Sequence, residues 1–359
     1  MSKRSALPVW SLIAPLAGWA LLAGLWATSA GGGLFLALLA VGMLGCVLAA
    51  VHHAEVIAHR VGEPYGTLLL AVAVTIIEVA LIVSLMLTGG PSTTALARDT
   101  VFAAVMIILN GMIGLCMLVG GSRFGEQSFG LRGVSASLAT LAAIAVLTLI
   151  LPNYTTTVPG PFYSVGQLGF IAVVSLVLYG TFVLIQTVRH RDYFLPEESS
   201  EAHAAPPSGR VALVSLALLL ASLAAVVLLA KSLAPGIEAA VTRAGAPLAV
   251  VGVIIAAVVL LPEGLAALRA ARANRLQTSL NLALGSALAS IGLTIPAVAI
   301  VSIATGWTLT LGLDTKSSVL LVLSLFVAAL SLGTGRTTVL QGVVHLVIFA
   351  SYLFTTVVP

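Results

Sequence analysis

The chain of 359 residues is 60% hydrophobic and only 8% charged, with a mean hydropathy of +1.16. Soluble domains carry roughly 25% charged residues, so there is too little polar side chain here to cover a water-facing surface, and a soluble fold is excluded. A net charge of +4 would raise nucleic acid as a partner for a soluble chain. Here the basic residues sit in short segments between apolar blocks, which points to membrane lipid and leaves no role for nucleic acid.

Apolar runs long enough to cross ~30 Å of hydrocarbon predict eleven transmembrane helices. They lie near residues 8–28, 33–51, 66–88, 101–120, 133–151, 163–186, 211–230, 246–266, 280–304, 317–333 and 338–357. The first follows Met-Ser-Lys-Arg without a convincing small-residue cleavage site, so it is expected to be retained. Cys46 and Cys116 fall inside apolar runs and read as small apolar fillers, with neither a disulfide framework nor zinc spacing. With the N-terminus inside, twelve of the sixteen basic residues fall in inside segments, leaving only Arg98, Lys231, Arg243 and Lys316 outside. That bias is the one membrane insertion imposes. It predicts a multi-pass protein of the plasma (inner) membrane with a cytoplasmic N-terminus and an external C-terminus.

The one long polar stretch, 187–210, contains Glu197, Glu198, Glu201, His203 and three prolines, and reads as an acidic cytoplasmic linker. Its acids are either solvated or a regulatory cation site. Six spans precede it and five follow. Setting aside a leading helix in 1–32 leaves two sets of five, 33–186 and 211–359. Five is odd, so the two sets must lie upside down relative to one another. Each has one glutamate in its second helix, in Val74-Thr75-Ile76-Ile77-Glu78 and Leu260-Leu261-Pro262-Glu263. Each then has a small, polar patch in its third, Leu109-Asn110-Gly111 and Gly285-Ser286-Ala287-Leu288-Ala289-Ser290. The expected fold class is an all-α membrane protein, one leading helix plus two inverted-topology five-helix repeats, an arrangement that places a binding site near the midplane.

An ionisable residue at the centre of a span costs about 2.5–3.5 kcal/mol on insertion scales. Glu78 and Glu263 are the two carboxylates clearly within spans, and Pro262 beside Glu263 removes a backbone donor from the helix. Facing glutamates with hydroxyls and exposed carbonyls would make a hard-oxygen site for Ca²⁺ or Na⁺. Burial and like charge raise proton affinity, so the same pair would hold either a cation or protons; the bland reading is two protonated acids hydrogen-bonded in the bundle. Asn110, Ser286, Thr75 and Ser290 can each add a neutral oxygen ligand, or simply pack the helices. A second cluster, His52-His53-Ala54-Glu55-Val56-Ile57-Ala58-His59-Arg60, ends the second span. If the helix continues, His52, Glu55 and His59 share a face and form either a proton relay at the cytoplasmic mouth or an ordinary helix end at headgroup level. His345, alone in the last span, reads as a hydrogen-bonded packing residue.

At these residues the chain resembles the cation/Ca²⁺ exchanger superfamily, in its Ca²⁺/H⁺ exchanger branch, and most of all the bacterial Cha-type calcium/sodium–proton antiporters. The segments His52–Glu78 and Leu260–Pro296 carry most of the likeness, notably Ala54–Gly62 and Gly285–Pro296. The resemblance implies that the second and third helices of each repeat build the cation site. It implies Glu78 and Glu263 as shared ligands and proton carriers, with Asn110 and Ser286 beside them. The family often writes Gly-Asn-Ala-x-Glu; Thr75 and Leu260 stand where its asparagines would be, which bears on ion selectivity. The implied activity is secondary antiport of cytoplasmic Ca²⁺, with Na⁺ or K⁺ as alternatives, against external protons, with no resident cofactor. Assembly into a homo-oligomer stays open. A passive cation channel using the same glutamates is the alternative reading. An intramembrane enzyme is disfavoured, because no nucleophile–base pair, zinc motif or phosphate loop is visible.

Overall fold

The computed structural model describes residues 7–28, 33–62, 65–194, 207–247 and 249–358. Eleven long helices account for nearly all of them: α1 (Val9–Thr28), α2 (Gly33–Val61), α3 (Tyr65–Gly89), α4 (Leu96–Phe124), α5 (Leu131–Tyr154), α6 (Val165–Arg189), α7 (Gly209–Arg243), α8 (Ala249–Arg272), α9 (Leu276–Thr305), α10 (Thr315–Leu332) and α11 (Val339–Val357). Ten are long and apolar enough to cross a membrane, and α3 carries the apolar stretch Val72–Leu87. The protein is a multi-pass membrane protein of all-α class.

Two helices outrun their expected spans by ten residues or more. α2 does not stop at residue 51 but continues through His52–Arg60 to Val61, where Gly62 at φ +82° closes it and donates its N–H to the carbonyl of Ala58 at 2.8 Å. α7 runs past Lys231 and Glu238 to Arg243, with Pro235 inside it. Long charged side chains reach for water from a continuing helix, so a charge ends the apolar run without ending the helix. Of the polar stretch 187–210, residues 187–189 complete α6, Arg191–Tyr193 form a 3₁₀ turn and α7 begins at Gly209. Its acids Glu197, Glu198 and Glu201 and His203 lie outside the described residues.

The chain packs as two compact units. The first contains α1, α2, α3 and α7. In it α2 lies along α7, and α1 covers both: Trp19 donates to the carbonyl of Ala221 at 3.1 Å, and Cys46 Sγ donates to that of Ala14 at 3.4 Å. Both cysteines are free and buried.

The second unit contains α4, α5, α6 and α8 to α11. Among its helices α4 and α9 are the most enclosed. Glycines set their closest seams. A Cβ on Gly342 of α11 would lie 2.6 Å from the backbone nitrogen of Leu118 on α4, and one on Gly252 of α8 would lie 3.1 Å from the backbone of Asp99 on α4. Both ends of the unit are cross-tied. At one end β1 (Gln127–Ser128), after α4, pairs antiparallel with β2 (Arg336–Thr337), after α10. At the other, Phe162 before α6 bridges Thr310 after α9, again antiparallel. α5 runs from the first tie towards the second, and α10 runs back.

The glycine seams give a stability test. Gly342→Ala forces backbone apart and should cost about 1–3 kcal/mol, read as a lower melting temperature in detergent. Gly180→Ala, whose Cβ would meet nothing within 4 Å, should leave it unchanged or slightly raised.

Candidate functional site

In the second unit, α8 carries Glu263 immediately after Pro262, and both are buried. Proline has no N–H to give the carbonyl of Val258, four residues back. α9 returns beside α8 after a short turn at 273–275 and brings Ser286 to Glu263: the hydroxyl donates to Glu263 Oε1 at 3.1 Å. Two of the expected residues are therefore joined directly. Ser290 lies one turn further along α9 and is buried on the same side. Pro296 likewise leaves the carbonyl of Gly292 without its helical donor.

Asn110 is buried in a π-helical stretch of α4, Ile107–Met112, where the backbone widens to one extra residue per turn. Its amide turns to α10 and α11. Nδ2 donates to Ser324 Oγ at 2.8 Å, and Ser324 in turn donates to the carbonyl of Leu320 at 2.7 Å. Asn110 Oδ1 therefore faces His345 Nδ1, 3.1 Å away, and that nitrogen must carry the proton. His345 is fully buried and pairs with a residue 235 positions earlier. Ser324 was not among the expected site residues. A serine in an apolar helix gives no sign of a partner two hundred residues away.

In the first unit, Glu78 (2% exposed) and Thr75 (3%) are buried one turn apart on α3. The continued α2 places His52, Glu55 and His59 on its last turns. Glu55 and His59 are exposed, whereas His52 is half-buried with its ring 5.2 Å from that of Trp10 on α1. The buried member of the cluster is His53, which the helical spacing passes over. Its Nε2 lies 3.0 Å from the carbonyl of Ser11, tying α2 to the start of α1.

Against known proteins, the profile of the sodium/calcium exchanger protein family matches residues 31–188 and again 214–358. The chain belongs to the sodium/calcium exchanger protein family. The two matched stretches take in α2–α6 to within one residue of its end, and α7–α11 from residue 214 of α7. Among curated relatives it is 53% identical to y4hA of Sinorhizobium fredii over 366 aligned residues, covering 100% of this chain and 99% of that one. It is 38% identical to the sodium-potassium/proton antiporter ChaA of Escherichia coli over 320 residues, 88% of this chain and 86% of ChaA. Among solved structures, an H⁺/Ca²⁺ exchanger, CAX, superposes with a TM-score of 0.72 at 16% identity over 96% of this chain and 89% of its own. Membership of this family places the protein among cation exchangers.

The Asn110 network makes a specific prediction. Asn110→Leu leaves Ser324 and His345 buried without their amide partner and should cost about 1–3 kcal/mol. In thermal melts, Asn110→Leu combined with Ser324→Ala should be less destabilising than the sum of the two single changes.

Proposed function

We propose that the protein exchanges a cytoplasmic cation for external protons, and that Glu78 and Glu263 are the carboxyl groups that carry both loads. The observation that carries this reading is the hydrogen bond from Ser286 to the buried Glu263 beside Pro262. Carboxylate, hydroxyl and backbone carbonyl oxygens are hard ligands, suited to Ca²⁺ or Na⁺ over soft metals. An acid in this setting is neutral with a proton and needs a cation without one. Competition between the two at one carboxylate couples their movements. Glu78, buried beside Thr75 on α3, is the counterpart in the other five-helix repeat. Ser290 supplies a further neutral oxygen, whereas the Asn110 amide is taken up by Ser324 and His345.

Ca²⁺ is the leading substrate, because carboxylate, hydroxyl and carbonyl oxygens are the hard ligands it takes. Na⁺ or K⁺ is the second reading, favoured by ChaA, whose name couples sodium and potassium to protons, and by Thr75 and Leu260 at the positions where the family often has asparagine. The basic residues orient the chain with its N-terminus in the cytoplasm and its C-terminus outside the plasma membrane. Glu55 and His59, exposed on the last turns of α2 with His52, then stand at the cytoplasmic mouth, where an acid draws cations in.

Purified protein in vesicles should move protons when Ca²⁺, Na⁺ or K⁺ is added separately, and the preferred ion should give the largest response. Glu78→Gln and Glu263→Gln should each lower exchange at least about tenfold. Normal exchange by either variant would remove that glutamate from the reading. Cation flux without proton movement would make the protein a channel.

A further inference from the structure

Five buried hydroxyls in these helices bond to the carbonyl one turn back: Ser137 to Gly133, Thr148 to Ile144, Thr187 to Val183, Ser222 to Leu218 and Ser324 to Leu320. Two threonines of the second unit do not. Thr294 on α9 and Thr100 on α4 are both fully buried, and neither hydroxyl has a hydrogen-bond partner among the described residues.

Their positions follow from the contacts already given. Ser286 fixes the level of Glu263 on α9. Thr294 is eight residues further towards the C-terminus of α9, about 12 Å along its axis. α8 runs the other way, and its Gly252 packs against the backbone of Asp99 and Thr100, eleven residues before Glu263, or about 16 Å. Both threonines therefore lie on the same side of Glu263, about one turn apart in height, on helices that pack together. Between them and Glu263 come the hydroxyl of Ser290 and the carbonyls of Val258 and Gly292, which Pro262 and Pro296 leave without helical donors. Beyond them, at the same end, Arg98 and Asp314 line an open cleft of about 470 Å³.

We infer that Thr294 and Thr100 are stations of a hydrated passage by which protons travel between Glu263 and the end of the unit that carries Asp99. A buried hydroxyl left dry loses its full desolvation cost, and water donates to and accepts from each of these groups in turn. One hydroxyl per turn falls far short of the six to eight oxygens that hold Ca²⁺, so the passage serves the proton rather than coordinating the cation. This inference rests on Glu263 as the proton carrier. In the proposed orientation the passage opens to the outside.

Thr294→Val and Thr100→Val keep the side-chain shape and remove the hydroxyl. Each should slow exchange at saturating cation by about tenfold and leave the KM for the cation unchanged, whereas Thr294→Ser should stay within about twofold. A Thr294→Cys variant, in a background with Cys46 and Cys116 replaced by alanine, should react with a small water-soluble thiosulfonate added on the Asp99 side. A Thr294→Val protein that exchanges at the full rate and melts at a higher temperature would show a dry hydroxyl and overturn the passage, as would a Thr294→Cys protein inert to the reagent. If Glu263→Gln is inactive alongside those results, the antiport reading survives them. If Glu263→Gln exchanges normally, it is the antiport reading that fails.

Discussion

A carboxyl group surrounded by hydrocarbon must be neutral or balanced, and the second unit is arranged around that constraint at Glu263. The acid follows Pro262 inside the continuous helix α8, and the Ser286 hydroxyl donates to it. Ser286 reaches it because α9 turns back within three residues of the end of α8 and keeps small residues along the facing side. Larger side chains at Ala283, Ser286 or Ala287 would push the two helices apart and leave the acid alone. The sequence of α9 is therefore as much a consequence of Glu263 as Pro262 is.

The buried polar groups of this unit divide into two kinds. Asn110, Ser324 and His345 bond to one another across three helices, and the donor and acceptor of the Asn110 amide are both engaged. Such a cluster fixes which faces of α4, α10 and α11 meet, and its geometry leaves little to exchange. Ser286, Ser290 and Thr294 instead follow one another at four-residue intervals along one side of α9, where Ser286 meets Glu263 of α8. The π-helical turn at Ile107–Met112 brings Asn110 into the first cluster, since an extra residue per turn rotates the side chains that follow it.

Much of this was legible in the chain itself, for physical reasons. Hydrocarbon thickness fixes how long an apolar run must be, so ten of the eleven helices begin within a few residues of their expected starts; the exception, α4, starts five residues early at Leu96. Glu263 was marked by Pro262 and by its isolation in an apolar run, and its link to Ser286 followed from matching the halves. What stayed hidden depends on distance along the chain. The two-residue strands Gln127–Ser128 and Arg336–Thr337 are too short to show alternation, and their pairing spans two hundred residues. The ends of α2 and α7 were misplaced because a charge marks where water begins and not where a helix stops. Thr294 was overlooked because, inside Leu293-Thr294-Ile295-Pro296, a threonine looks like one more β-branched filler.

The ties at the two ends of the second unit constrain how it can deform. With β1 held to β2 at one rim and Phe162 to Thr310 at the other, the segments flanking α5 and α10 are stitched top and bottom, like staves between two hoops. Sliding any one of these helices lengthwise would break backbone hydrogen bonds at whichever end it left. Small rotations about the helix axes, of the kind a π-helical turn absorbs, would break none. Motion inside this unit is therefore steered towards twist rather than slip.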